Sequence, residues 1–296
     1  MLIENNTEAL AKQTFGYVDY VLCGTFEIDE ELEKAKDNFY NYDYIFITDL
    51  CPSNEKLLSI EKSGIKEKFK IFDYHKGTAD NIDRDYDFLT LKLKNDKGKC
   101  CGTSLFYEYL INNNYLKPSK TLDKMVELTR LYDTWEWKEV NNLEACDLTY
   151  LLNACGIEEY ISRVLKKANE SVFSFNGDDY KKINDWKREF NLKIKSIVDK
   201  MICLEISKWN AGIVKTDYEY RNDIAEYNKD NKYDINFLVL IYPDKSSVSY
   251  RSINENCDVN EIAQMYGGYG HRAAASSPIT EEEKIEILEY FNKIKV

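Results

Sequence analysis

The chain has 296 residues, of which 44% are hydrophobic and 14% aromatic, enough for one large domain or two ordinary ones. Its formal charge is −12, from 40 Lys and Arg against 52 Asp and Glu. That balance lacks the basic footprint of a protein that grips long duplex nucleic acid through its phosphates, and leaves room for a short anionic ligand in a local pocket.

The longest apolar runs are about six residues, against the ~20 that cross a bilayer, and Met1 to Asn6 has neither the basic nor the apolar stretch of a signal peptide. We expect no membrane span and a cytoplasmic protein. The eight cysteines show no paired metal-finger spacing, so reduced thiols are expected, several of them core fillers.

In chain order, Tyr44-Ile45-Phe46-Ile47 predicts a strand ending at Thr48-Asp49, and Phe69-Lys70-Ile71-Phe72 a second ending at Asp73. Between them Ser53 to Ser63 has helical spacing, with Ser53 or Asn54 as cap. Strand, helix, strand implies a parallel sheet, in which ligands sit beyond the carboxyl ends of the strands. Asp49 and Asp73-Tyr74-His75 fall at that edge. Gly102-Thr103-Ser104 opens a helix over Leu105 to Asn112, and Thr121 to Tyr132 forms another, ending at Asp133-Thr134-Trp135-Glu136-Trp137. Helical spacing covers Ala145 to Lys167, and the charged stretch 178–207 reads as a connecting helix. Further on, Ile235 to Tyr242 and Ser247 to Ser252 are strands about a turn, Val259 to Tyr266 is a helix leading into a glycine loop, and Thr280 with Glu283 forms a capping box for the last helix.

The sequence holds only two histidines. His75 follows the second strand; His271 lies in Gly267-Gly268-Tyr269-Gly270-His271-Arg272-Ala273. Histidine is the commonest metal ligand and the side chain best placed to exchange protons near neutral pH. Taken alone, the Asp133 to Trp137 segment reads as a helix end whose tryptophans pack the core. Lys76 reads as a surface lysine, and Asp80, Asp83, Asp85 and Asp87 as a solvated loop.

Together these segments resemble the DHH phosphoesterase superfamily, nearest to its nanoRNase B (oligoribonuclease) type. The likeness is carried in family order by Phe46 to Leu50, Asp73-Tyr74-His75, Cys101 to Leu110, Tyr132 to Trp137 and Val259 to Ser276. It implies an α/β protein: a parallel-sheet catalytic-type domain over 1–170, a linker helix over 171–207, and a smaller mixed α/β substrate-binding domain over 208–296. It also implies a cleft between domains for short oligonucleotides or cyclic dinucleotides, and a manganese-dependent phosphodiesterase. Asp49, Asp73, His75 and Asp133 would be catalytic, with Asp49, His75 and Asp133 on metal. Arg251, Gly267, Gly268, Gly270, His271 and Arg272 would hold substrate, the glycine amides closing on an anion.

The chain departs from that pattern twice. Residues 1–8 stand where the family has a Ser-His-x-Asp-x-Asp-Gly motif and hold neither His nor Asp, while Ala9 to Gly16 resembles the helix that follows the motif. The Asp-His-His motif reads Asp73-Tyr74-His75, a neutral phenol replacing an imidazole ligand. About half of the expected metal ligands are thus missing, which weakens divalent binding. A start assigned too far downstream would explain the first departure; Tyr74 favours lost hydrolysis. The alternative is therefore a homologue that binds or sequesters a small nucleotide without cutting it. A third reading is a subunit that completes its sheet with a partner, as in a homodimer.

Overall fold

The computed structural model describes residues 2–25, 27–206 and 208–293. Ser207, the last residue of the expected connecting helix, and residues 294–296 of the expected C-terminal domain lie outside them. The fold is α/β, in two compact units, Met1–Trp186 and Lys187–Val296. No helix among the described residues is long and apolar enough to cross a membrane.

In the first unit, α1 (Leu2–Phe15) and α2 (Ile28–Ala35) precede strand β1 (Ile45–Thr48), helix α3 (Asn54–Lys62) and strand β2 (Phe69–Asp73). Then come α4 (Lys76–Asn81), β3 (Leu89–Leu91), and a small antiparallel pair, β4 (Lys94–Asn95) and β5 (Gly98–Lys99). Helices α5 (Gly102–Asn112), α6 (Lys120–Asp133), α7 (Glu136–Glu139), α8 (Leu143–Cys155) and α9 (Ile157–Ala168) complete the unit, and the boundary falls inside α10 (Gly177–Val198).

Strands β1, β2 and β3 form a parallel sheet in that order. Side chains alternate across it. Ile45, Ile47, Phe69 and Ile71 enter one core with Leu57 and Ile60 of α3, while Phe46 and Phe72 enter another with Leu105 and Phe106 of α5. Burial on both faces is what a parallel sheet requires. Ser53 caps α3, its side chain accepting from the Lys56 amide at 3.3 Å, as the sequence predicts. Among the described residues no strand pairs with the outer edge of β1; a cavity of about 750 Å³ lies against it, lined by α1, α2 and residues 17–23.

Residues 5–11 of α1 are buried. Asn6 Nδ2 donates to Thr129 Oγ1 at 2.9 Å, and Asn6 Oδ1 accepts from Tyr160 Oη at 2.8 Å, tying α1 to α6 and α9. The buried Glu8 carboxylate meets Lys12 Nζ at 2.6 Å, but neither oxygen gains a well-directed hydrogen bond.

The second unit is built on a mixed six-stranded sheet ordered β10-β11-β9-β8-β7-β6. Its strands are β6 (Ile202–Ile206), β7 (Trp209–Lys215), β8 (Phe237–Ile241), β9 (Ser247–Ser252), β10 (Tyr269–His271) and β11 (Ala274–Pro278). Helices α11 (Arg221–Asp230), α12 (Val259–Met265) and α13 (Glu281–Lys293) accompany them. Alternation again divides the faces. Phe237, Val239 and Ile241 pack with Val259 and Ile262 of α12, whereas Leu238, Leu240 and Tyr242 pack with Ile224 of α11 and Ile194 and Val198 of α10. The capping box is present: the Thr280 amide donates to Glu283 Oε2 at 2.9 Å, and Thr280 Oγ1 accepts from the Glu283 amide at 3.3 Å.

Candidate active site

The pairing Thr48↔Phe72 sets Asp49 level with Asp73 at the carboxyl edge of the parallel sheet. The Asp49 amide still bonds Phe72 O at 2.9 Å, after which the backbone turns to φ 67°, a left-handed conformation that aspartate tolerates better than most residues. The turn is possible because α5 begins with glycine. A Cβ on Gly102 would stand 2.7 Å from the Asp49 amide nitrogen and 3.0 Å from its Cβ. We therefore expect Gly102→Ala to displace Asp49 and destabilise the unit by roughly 1–3 kcal/mol, read as a lower urea midpoint. An unchanged midpoint would show that the contact yields freely. Cys101 and Ser104 reciprocally cap the start of α5, and burial, with Asp133 nearby, pushes the Cys101 thiol up to about 12.

Asp73 is fully buried, and donors surround it. It accepts from the Tyr74 amide at 2.8 Å, the His75 amide at 3.2 Å, the His75 ring Nδ1 at 2.7 Å, and the Thr78 hydroxyl. Burial pushes its pKa up, but the bonds from His75 and Thr78 outweigh that and hold the carboxyl below its ordinary value. A carboxylate so occupied positions His75, leaving Nε2 as the ring's open nitrogen. A histidine bound to a metal is commonly oriented through its other nitrogen in this way. The bond from Asp73 also raises the His75 pKa.

Asp133, the last residue of α6, lies near Asp49. Each has one buried oxygen without a hydrogen-bond partner, Oδ1 of Asp49 and Oδ2 of Asp133. Burial, reinforced by the Asp133 charge, pushes Asp49 up to about 7; burial raises Asp133 as well. The Tyr74 hydroxyl lies beside Asp133, where it favours the charged carboxylate, and the Tyr74 ring contacts His75 with centroids 4.4 Å apart. Two buried carboxylates with orphaned oxygens need either protons or a cation.

Among the described residues no three His, Cys, Asp or Glu side chains form a ready cage for a metal. Hard divalent ions, however, are often held by one or two carboxylates completed by water and substrate phosphates. Asp49 and Asp133 fit that role by chemical type, with the His75 imidazole as a nitrogen donor; the set suits one ion better than two.

The tryptophans after Asp133 differ from the packed pair read from their sequence alone. Trp135 has φ 62° and is 55% exposed, and Lys138 Nζ sits 4.8 Å from its ring centroid; only Trp137 is partly buried in the core. Arg130, buried in α6, is held by Glu127 and Glu136.

In the second unit the expected glycine loop is largely a strand. Tyr269–His271 pairs with β11, and the glycines permit that pairing: a Cβ on Gly268 would meet Ser276 O at 2.1 Å, and one on Gly270 would meet Ala275 Cα at 2.4 Å. Their amides are already used. Gly267 donates to Gln264 O at 3.2 Å, Gly268 to Ala263 O at 2.8 Å, and Gly270 to Asn260 Oδ1 at 2.9 Å. These three amides are thus engaged by acceptors on α12, rather than open as the expected anion grip has them. What the segment offers is side chains. His271 pairs with Ala274, which pairs with Arg251, so all three project from one sheet face with the small Ala274 in the middle. Arg272 donates to Glu255 O through Nη2 at 2.9 Å. Sequence reading missed β3, whose three residues give too short a pattern, β7, where Asn210 and Gly212 interrupt the alternation, and β6, which falls inside the stretch 178–207 read as a helix although α10 ends at Val198.

No family model matches the chain. Oligoribonuclease NrnB of Bacillus subtilis is 32% identical over 260 residues, covering 85% of this chain and 63% of that protein, so the chain spans just under two thirds of that relative's length. Among solved structures, the pGpG-specific phosphodiesterase PggH of Vibrio cholerae is 11% identical, with 99% of this chain and 96% of that one covered and a TM-score of 0.49. RecJ of Thermus thermophilus in complex with Mn2+ is 13% identical, with 99% and 50% covered and a TM-score of 0.49.

Proposed function

Because this chain belongs to the DHH phosphoesterase superfamily, we propose that it is a phosphodiesterase acting on short oligonucleotides or cyclic dinucleotides. The observation that carries this reading is the Asp49–Asp133 pair, two buried carboxylates each with an unpartnered oxygen, beside a histidine fixed by Asp73. Asp49 and Asp133 would hold manganese, with His75 as nitrogen donor and Asp73 orienting its ring. When bound, the ion would supply hydroxide at neutral pH and offset phosphoryl charge. Residues 208–296 would hold the ligand, with His271 and Arg251 meeting phosphate.

A second reading is favoured by Tyr74. A phenol beside Asp133 fills the place of an imidazole ligand and supports a protein that binds this ligand class without cutting it. The readings separate on incubation with manganese and RNAs of two to five nucleotides, followed by mass spectrometry. Cleavage predicts shortened products that vanish with chelator. Binding alone predicts intact RNA that stays bound in chelator, with affinity falling about tenfold in His271→Ala. RNA neither cut nor bound contradicts both.

A further inference from the structure

The face of the second sheet that carries Arg251 also gathers cations that make no ion pair. Arg221, at the start of α11, lies over the Tyr218 ring with Cζ 4.0 Å from the centroid and donates from Nη1 to Tyr218 O at 2.9 Å. Lys245 Nζ stands 4.6 Å from the centroid of the same ring. Arg251 donates to Asn222 Oδ1 at 3.2 Å and to Tyr250 O at 3.0 Å. None of the three is ion-paired with a carboxylate among the described residues. In a chain of net charge −12 that is unexpected, because acidic partners abound.

A second observation points to a missing acceptor. Tyr242 is fully buried, its ring 5.1 Å from that of Tyr218, and its hydroxyl has no hydrogen-bond partner. Ser249 is its neighbour, but no bond of ordinary geometry closes between them. Burial and the Arg221 charge both depress Arg251, so the two guanidiniums lie close enough to repel each other. A buried hydroxyl and two guanidiniums together are donors awaiting an anion.

We propose that Arg221, Arg251, Lys245 and the Tyr242 hydroxyl form a binding site for a terminal phosphate monoester of a short nucleotide. The inference deepens the proposed function and rests on it for the ligand class. Tyr218 holds Arg221 and Lys245 in place through its ring. A doubly charged terminal phosphate, unlike a diester, brings three acceptor oxygens, enough for donors from both arginines and the hydroxyl.

The test is calorimetric titration of the whole chain in chelator with four probes: ApA, pApA, ApAp and inorganic phosphate. The site predicts that pApA or ApAp binds at least tenfold tighter than ApA. Arg221→Gln should bring the phosphorylated and plain dinucleotides within about twofold of each other and leave ApA unchanged; Lys245→Gln should reduce the preference several-fold, and serves if the arginine variant does not fold. Equal affinities in the unaltered chain, or a preference that survives both substitutions, would overturn the site. Tight inorganic phosphate without any dinucleotide preference would overturn the nucleotide as source. A phosphate preference without cleavage leaves the site standing and removes hydrolysis; cleavage without that preference does the reverse.

Discussion

Asp49→Asn is expected to abolish manganese-dependent cleavage and, at the same time, to stabilise the fold. Both effects come from one fact: Asp49 is buried beside Asp133 and its pKa is pushed up to about 7. An unfolded aspartate titrates near 3.9, so between those values the folded chain binds more protons than the unfolded one. Stability from this group is therefore fully present below about pH 4 and is lost as pH rises through 7. A shift of this size is worth about 4 kcal/mol in alkaline solution. Asparagine keeps the shape, tolerates φ 67° and carries no charge. We expect the variant to gain roughly 2–4 kcal/mol at pH 8.5 in chelator, about 2 kcal/mol more than it gains at pH 5.5. The raised pKa of His75 acts in the same direction, contributing stability that fades as pH rises through its folded value. Urea midpoints at the two pH values are the check. A variant no more stable than the parent at pH 8.5 would mean that Asp49 is not strained as an ion. Such an exchange of stability for function is common where charges are held together for chemistry.

Tyr74→His is expected to act oppositely on activity. The tyrosine keeps a neutral hydroxyl beside Asp133, whereas an imidazole would add a nitrogen donor next to two carboxylates that each keep one unpartnered oxygen. Manganese affinity, followed by quenching of protein fluorescence, should rise by about 10–100-fold, and cleavage of short RNA should rise or appear. Tyr74→Phe separates ligand from donor: it removes the hydroxyl, should raise the Asp133 pKa further, and should not improve metal binding. If the histidine variant binds manganese no better than the phenylalanine variant, position 74 does not face the ion.

Much of the first unit was legible because its signals are local. The short apolar runs Tyr44 to Ile47 and Phe69 to Phe72 mark two strands, and the residues that end them, Asp49 and Asp73, then have to lie at one sheet edge. The cap residues Ser53 and Thr280 were readable for the same reason. What was not legible depends on partners remote in sequence. That Asp73 serves His75 while Asp49 and Asp133 share a charge problem follows from packing against α5 and α6. The glycines around His271 looked like an anion loop because glycine is permissive in either role; only the pairing with Ala274 to Ser276 shows that close strand contact uses them. That Arg221 and Lys245 meet on the Tyr218 ring was not legible for a similar reason, since they come from separate segments; of these cations only Arg251 was readable as a substrate residue.

Asp49 and Asp133 are proposed here as the working centre for phosphodiester cleavage. The most direct measurement is the rate at which the purified chain shortens pApA in manganese, compared in parallel with Asp49→Asn and Asp133→Asn. Measurable mononucleotide release is expected, abolished by chelator and lowered at least a hundredfold by either substitution. Cleavage persisting at the parent rate in both variants would contradict it.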